Sequence, residues 1–315
     1  MLGPVSVPTP QDTDPPLSSK AMKVHLVDAT FELFRAFYSP GRSLARGPDG
    51  RPVNAVRGLI DSMLSLLREP DVTHIAAATD YVIESWRNDM YPTYKSSAGM
   101  DPDLLAQFRD AERALRSLGI TTWPMVEDEA DDGLATATAR FIGDPRVEQI
   151  VICSVDKDLG QCVDDRRVVL RDRMRRVTYD KDGIRAKFGV SPESIPDYLA
   201  LVGDSSDGYP GLPGWGAKSA AAVLAHWQHL EAIPDSPLEW EVPVRGAVGL
   251  AATLRDHRSE AALYKRLATL NADAAVEGDL DSLEWGGVPR TEFLALCEEL
   301  GFDTVGSRVH RWRED

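Results

Sequence analysis

The chain has 315 residues, 43% hydrophobic and 27% charged, with a formal net charge of −15. That length predicts roughly two domains and that composition excludes a disordered chain, while the acidic balance argues against non-specific coating of nucleic acid or membrane. Three scattered cysteines, Cys153, Cys162 and Cys297, exclude a disulfide framework or a cysteine-rich zinc site, and no apolar run reaches the ~18 residues of a membrane span.

Residues 1–21 hold Pro4, Pro8, Pro10, Pro15 and Pro16 among Ser, Thr and Asp, which predicts a disordered tail with Met22 as a second candidate start. Residues 23–28 read as a short buried strand that ends in Asp28, followed by a helical pattern on Phe31, Leu33, Phe34, Phe37 and Tyr38. A helix over 55–67 leads into a second apolar run, 74–80, that also closes on an acid, Asp80. A helix over 102–118 precedes a strand at 120–124. After it come Glu129-Ala130-Asp131-Asp132 and a helical stretch, 133–141, and then a strand from 149 that runs into Asp156-Lys157-Asp158. Strands alternating with helices predict βαβ units and a mainly parallel sheet, whose ligand site lies beyond the strands' carboxyl ends.

Three carboxylates in four residues repel one another and ask for a divalent cation with oxygen ligands, although acids also enrich the first turn of any solvated helix. A single Asp after a strand is ordinarily a turn residue or cap; Asp28, Asp80, Glu129, Asp131, Asp132, Asp156 and Asp158 arriving at one sheet edge point instead to Mg²⁺ or Mn²⁺, since no His or Cys partner accompanies them. Between Asp80 and the cluster, Arg87, Tyr91, Tyr94 and Lys95 alternate cations with aromatics, which suits phosphate contact and base stacking or a plain surface loop. Asp180-Lys181-Asp182-Gly183 fails as an EF-hand because Thr178 and Gly189 would stand where the first and twelfth ligands belong.

Farther on, Asp204 and Asp207 end a short helix and can face one cation. A Gly/Pro-rich turn through Gly211, Gly214 and Gly216 then feeds a helix over 219–227. Ala217 between Gly216 and Lys218 excludes a phosphate loop, and no strand precedes the glycines as a dinucleotide fingerprint requires. What remains is a helix-turn-helix whose free N–H groups and Lys218 can hold one DNA phosphate without reading sequence, or a tight interhelical corner. His226 and His229 read as surface residues.

These motifs, together with Arg35-Ala36-Phe37, Tyr91-Pro92-Thr93-Tyr94-Lys95 and Pro210-Gly211-Leu212-Pro213-Gly214-Trp215-Gly216, resemble in order and spacing the bacterial and phage 5′–3′ exonuclease and flap endonuclease family, which also supplies the 5′-nuclease domain of bacterial DNA polymerase I. The chain departs from the family at Ser96-Ser97-Ala98, where a basic residue usually follows the Tyr-Lys pair, and at Asp128, where an aromatic or apolar residue is usual.

The resemblance implies an α/β fold: a PIN-like mainly parallel sheet with flanking helices over 22–190, including a helical arch that admits the 5′ strand, then a helical helix-turn-helix region over 191–315. It implies a stand-alone 5′ nuclease of replication or repair, cutting DNA with two or more Mg²⁺ or Mn²⁺ ions to leave 5′-phosphate and 3′-hydroxyl ends, with K⁺ a further candidate at the glycine turn. Asp28, Asp80, Glu129, Asp131, Asp132, Asp156, Asp158, Asp204 and Asp207 are the implied metal ligands. Lys95 and Arg87 steady the scissile phosphate, and Arg35, Tyr94, Gly211, Gly214, Gly216 and Lys218 contact DNA. The partners expected are 5′ flaps, 5′ ends and branched or nicked duplexes, for a cytoplasmic, nucleoid-associated monomer. A DNA-junction binder without catalysis, which should lack acids, and a PIN-like ribonuclease, which the glycine turn disfavours, are the rival readings.

Overall fold

The computed structural model describes residues 22–39 and 45–314, so the tail expected at 1–21 lies outside them. Strands β1 (Met22–Asp28), β2 (His74–Asp80), β3 (Thr121–Met125), β4 (Val147–Cys153), β5 (Val168–Asp172) and β6 (Val177–Tyr179) form one sheet in the order β3-β2-β1-β4-β5-β6. Only the β5–β6 pairing is antiparallel. Leu26 lies beside Ala76 and Ile152 in this register. Helices cover both faces of these central strands, which is why β1 and β2 read as continuous apolar runs rather than alternating ones.

The helices are α1 (Ala29–Phe37), α2 (Asn54–Leu66), α3 (Trp86–Met90), α4 (Pro102–Leu105), α5 (Phe108–Ser117), α6 (Ala130–Phe141), α7 (Lys181–Phe188), α8 (Ile195–Val202), α9 (Ala217–Trp227), α10 (Ala247–Asp256), α11 (Arg258–Ala268) and α12 (Arg290–Leu300). One core joins Leu26 and Ile152 to Leu134 of α6 and then to α8, α9, α10 and α11. A second, on the opposite sheet face, joins Val27 and Val151 to α1, α2 and α5. Phe293 and Leu296 of α12 belong to this second core, so the helical region expected over 191–315 divides between the two faces.

Two expectations change. The single helix at 102–118 is broken at Gln107, whose buried side chain accepts hydrogen bonds from the Ala55 and Val56 amides (2.8 and 3.2 Å). It thereby satisfies the start of α2, which has no side-chain cap of its own. The helical arch expected beyond Asp80 is the short α3, a loop and the short α4. Ser85 and Asn88 box the start of α3, and Pro92 holds Tyr91 extended (φ −140°, ψ 96°), which ends it. The loop then docks on the turn after α8, where the Lys95 amide donates to the Asp207 carbonyl (2.9 Å).

Candidate metal centre

The parallel strands deliver their acids to one edge. Asp28 ends β1 and caps α1, accepting from the Phe31 amide (2.8 Å), while its other oxygen accepts from Ser154 Oγ (2.8 Å). Asp80 ends β2 and accepts from the Ala130 amide at 2.6 Å, which pins the start of α6 against it. Asp156 and Asp158 follow β4, with the Asp158 amide on Asp156 Oδ1 (2.9 Å). Asp204 and Asp207 come from the turn after α8. Gly203 and Gly211 lie back to back there, so that a Cβ on Gly211 would sit 2.3 Å from the Gly203 nitrogen.

Carboxyl oxygens of Asp158, Asp204 and Asp207 lie within 4.8 Å of one another. Asp158 is buried, and its Oδ1 has no hydrogen-bond partner among the described residues. Burial, then repulsion from Asp156, Asp207 and Asp204, pushes the Asp158 carboxyl well above its ordinary range. Burial likewise raises Asp207 to about 7, with Asp204 and Glu129 adding repulsion and Lys95 opposing it. A second group surrounds Asp131: burial raises it well above its usual value, with repulsion from Asp156 and Asp28. Asp28 rises to about 7 and Asp80 rises too, burial being the first cause in each. Desolvated carboxylates that repel one another, one with an orphaned oxygen, fit a hard divalent cation and offer nothing to a thiolate- or imidazole-seeking metal.

Lys95 stands between the two groups, with Nζ 2.7 Å from Glu129 Oε2. Burial opposes its charge, but Glu129, Asp80, Asp207 and Asp131 outweigh that and hold the ammonium protonated. Glu129 itself is engaged, since it also accepts from Ser85 Oγ (2.7 Å) and faces Arg87 at 3.4 Å.

Several assignments move. Arg87 does not face the cleft. It is 1% exposed, bidentate to Asp132 (2.7 and 2.8 Å), and its Nε donates to the Leu267 carbonyl at 2.8 Å. Asp132 is 0% exposed and also accepts from the Glu129 and Asn271 amides (3.0 and 2.8 Å), so its oxygens are spent on protein donors rather than on a metal. Tyr94 is buried in the core beneath the loop and has no face for a base. Arg35 is paired with Glu32 and donates to Ser62 Oγ (3.1 Å), inside a network with Arg173. Gly211 serves the close approach to Gly203 and is buried.

Gly214, Gly216 and Lys218 do come together, lining an open cavity of about 540 Å³ at the start of α9. Nothing lies within 4 Å of where a Gly216 Cβ would be, so that side of the turn is open, while the Gly216 amide itself donates to Ser219 Oγ (3.0 Å). Sequence reasoning missed Arg245, which lines the same cavity from a loop far along the chain. It also missed Lys157, which pairs with Asp204; its place between Asp156 and Asp158 was the available signal. His229 faces Asp197 at 3.1 Å, and His226 faces Glu241 at 3.7 Å.

A parallel sheet that gathers oxygen donors at its carboxyl edge, next to a half-buried lysine, defines a metal-dependent nuclease. Residues 23–189 match the family model for the 5′–3′ exonuclease N-terminal resolvase-like domain, and 190–291 match that for the 5′–3′ exonuclease C-terminal SAM fold. The chain belongs to the 5′–3′ exonuclease family. It is 33% identical to DNA polymerase I of Pseudomonas aeruginosa over 287 residues, covering 88% of this chain and 30% of that one. The chain therefore spans about a third of the length of the curated relatives it matches. Among solved structures it resembles the T5 5′-exonuclease with bound zinc (TM-score 0.61, 18% identity, 88% of this chain and 99% of that one). It also resembles the catalytic core of Rad2 in complex with DNA substrate (TM-score 0.59, 15% identity, 90% and 91%). Among the described residues no helix is long and apolar enough to cross a membrane.

Proposed function

We propose that this chain is a structure-specific 5′ nuclease, a 5′–3′ exonuclease and 5′-flap endonuclease that hydrolyses DNA in replication or repair. The observation that carries the reading is the convergence of Asp158, Asp204 and Asp207 beside Lys95, from segments distant in sequence. Asp158, Asp204 and Asp207 would hold one divalent ion, and Asp28, Asp80, Asp131 and Asp156 a second, with Mg²⁺ or Mn²⁺ suited to oxygen-only donors. Ions held there would supply a water of lowered pKa and offset the charge of the departing 3′ oxygen, chemistry that would leave 5′-phosphate and 3′-hydroxyl ends. Lys95 is the cation of this chain placed to meet the scissile phosphate, and Glu129 positions it.

The first-turn N–H groups of α9, with Lys218 and Arg245, hold a duplex phosphate away from the chemistry, and K⁺ at that turn belongs to the same reading. The nuclease core occupies 22–190 and the duplex grip lies in 191–315, in a cytoplasmic, nucleoid-associated monomer. A labelled 5′-flap DNA with Mg²⁺ or Mn²⁺, beside a single-stranded RNA and a blunt duplex, tests the proposal. Cleavage at the flap junction is the expected result; binding without cleavage, or preferential cutting of RNA, would replace it with one of the rival readings.

A further inference from the structure

On the sheet face that carries α1 and α2, Val151 of β4 and Val169 of β5 belong to the second core and also form part of a cavity wall. A cavity of about 550 Å³ opens there, a volume in the range of small-molecule sites. Its floor holds His25, which is 0% exposed and in register with Val151 and Val169. Neither ring nitrogen of His25 has a partner among the described residues. Burial lowers its pKa to about 4, so the ring is neutral and presents one donor and one acceptor. Leaving such a group unpaired costs on the order of 1–3 kcal/mol.

Other unpaired donors line the same cavity. Arg173 is held by Glu32 and Ser62, yet its buried Nε has no partner. Arg176 makes no side-chain hydrogen bond or ion pair among the described residues. Glu69 and Asp71, the acids at the rim, are already engaged by Arg171 (2.7 and 3.1 Å) and Lys23 (3.0 Å). Their charge is thus offset, and the free capacity is cationic at one end and neutral at the other. Val151 separates His25 from Val169, so β5 lies about 10 Å across the sheet from His25 at about 4.8 Å per strand, and Arg173 follows four residues after Val169; the cavity lies between these unpaired donors and is lined by both.

The geometry points to a second ligand site, separate from the acidic cleft, for a small phosphate monoester of a size the cavity can hold, such as a nucleoside 5′-phosphate. Its phosphate lies at Arg173 and Arg176, and its uncharged polar end lies on His25. Inorganic phosphate reaches only the first of these, and a nucleoside only the second.

Calorimetric titration of the full chain in EDTA, where no divalent ion recruits phosphate to the acids, tests this with thymidine 5′-monophosphate, thymidine, inorganic phosphate and a short blunt duplex. One-to-one binding of the monophosphate is expected, with the nucleoside and phosphate at least tenfold weaker. The variant R176G should lose about tenfold; Arg176 has φ 55°, a conformation glycine adopts freely, so the fold is kept. H25Q should weaken the monophosphate and thymidine but not inorganic phosphate. No binding of the monophosphate, equal binding of inorganic phosphate, unchanged binding in R176G, or binding of duplex alone would each overturn the proposal. None of these readings depends on nuclease activity.

Discussion

Replacing Asp132 with alanine should destabilise a fold that replacing its neighbour Asp131 leaves intact. Asp132 and Arg87 are 0% and 1% exposed and joined by two charge-assisted hydrogen bonds of 2.7 and 2.8 Å. Asp132→Ala strands the guanidinium in the interior, a change that costs about 3–5 kcal/mol when one partner of a buried pair is removed. It also orphans the Asn271 and Glu129 amides that Asp132 accepts. Against a total stability of about 5–15 kcal/mol this is a large fraction, and at roughly 2–4 °C per kcal/mol it lowers Tm by about 10 °C. Asp131 is crowded by Asp156 and Asp28, so Asp131→Ala removes repulsion and should leave the metal-free Tm at or above wild type while abolishing cleavage. Thermal melts of both variants in EDTA decide it, with cleavage assayed in parallel. An Asp132→Ala melt that overlays wild type would refute the reading of Arg87 and Asp132 as a structural lock.

Lys95→Ala should lower kcat by about 10²–10³-fold, the effect of removing one preorganised donor, with little change in KM; weaker binding at unchanged kcat would make Lys95 a simple phosphate contact. Burial raises Asp28 and Asp207 to about 7 from the ordinary 3.8, so the metal-free folded protein binds those protons before the unfolded chain does. The resulting penalty is complete above about pH 7 and relieved as pH falls toward about 4, so Tm in EDTA should rise from pH 8 to pH 6, and saturating Mn²⁺ should flatten the rise; a steady fall in EDTA would count against it. Gly216→Val places its Cβ in open space and should keep its Tm while weakening both flap and duplex binding. Lys218→Ala should flatten the dependence of log affinity on log salt by about 0.9, one counterion's worth, and a wild-type slope would make the turn a corner only.

The strand ends were legible because short apolar runs closing on Asp28, Asp80 and Asp156 repeat one pattern, and a parallel sheet sends such ends to one edge. The division of labour within a motif was not legible. Asp131 and Asp132 are adjacent, but successive side chains on a 3.6-residue helix point about 100° apart, so one reaches the cleft and the other the core. The alternation of cations and aromatics in 86–95 carries no mark of which side chains turn inward. Arg87 and Tyr94 do so because α3 ends at Tyr91 and the loop folds back against Asp207 and Gly208. Arg35 looked free because its partner Glu32 is also a plausible first-turn acid, and Arg173, which completes the network, is far away in sequence.

The arginine that left the active site explains how the site is completed. Asp158 belongs to the sheet, whereas Asp204 and Asp207 come from beyond α8, and their oxygens meet only if the C-terminal helices are docked. Arg87 and Asp132 supply that docking from the sheet side: Arg87 holds the Leu267 carbonyl at the end of α11, Asp132 holds the Asn271 amide, and α11 packs on α8 in the shared core. Lys95 ties the same loop to Asp207 through its own amide, so the lysine and the turn carrying Asp204 and Asp207 move as one piece. Buried polar groups of this kind contribute little net stability beside an apolar replacement, yet they fix a single register. Replacing both partners, Arg87→Met with Asp132→Leu, should therefore recover much of the Tm lost in Asp132→Ala without restoring cleavage, because the packing returns but the hydrogen bonds to Leu267 and Asn271 do not. Full recovery of both would show that packing alone sets the register, and recovery of neither would place the stability of this junction in the polar network itself.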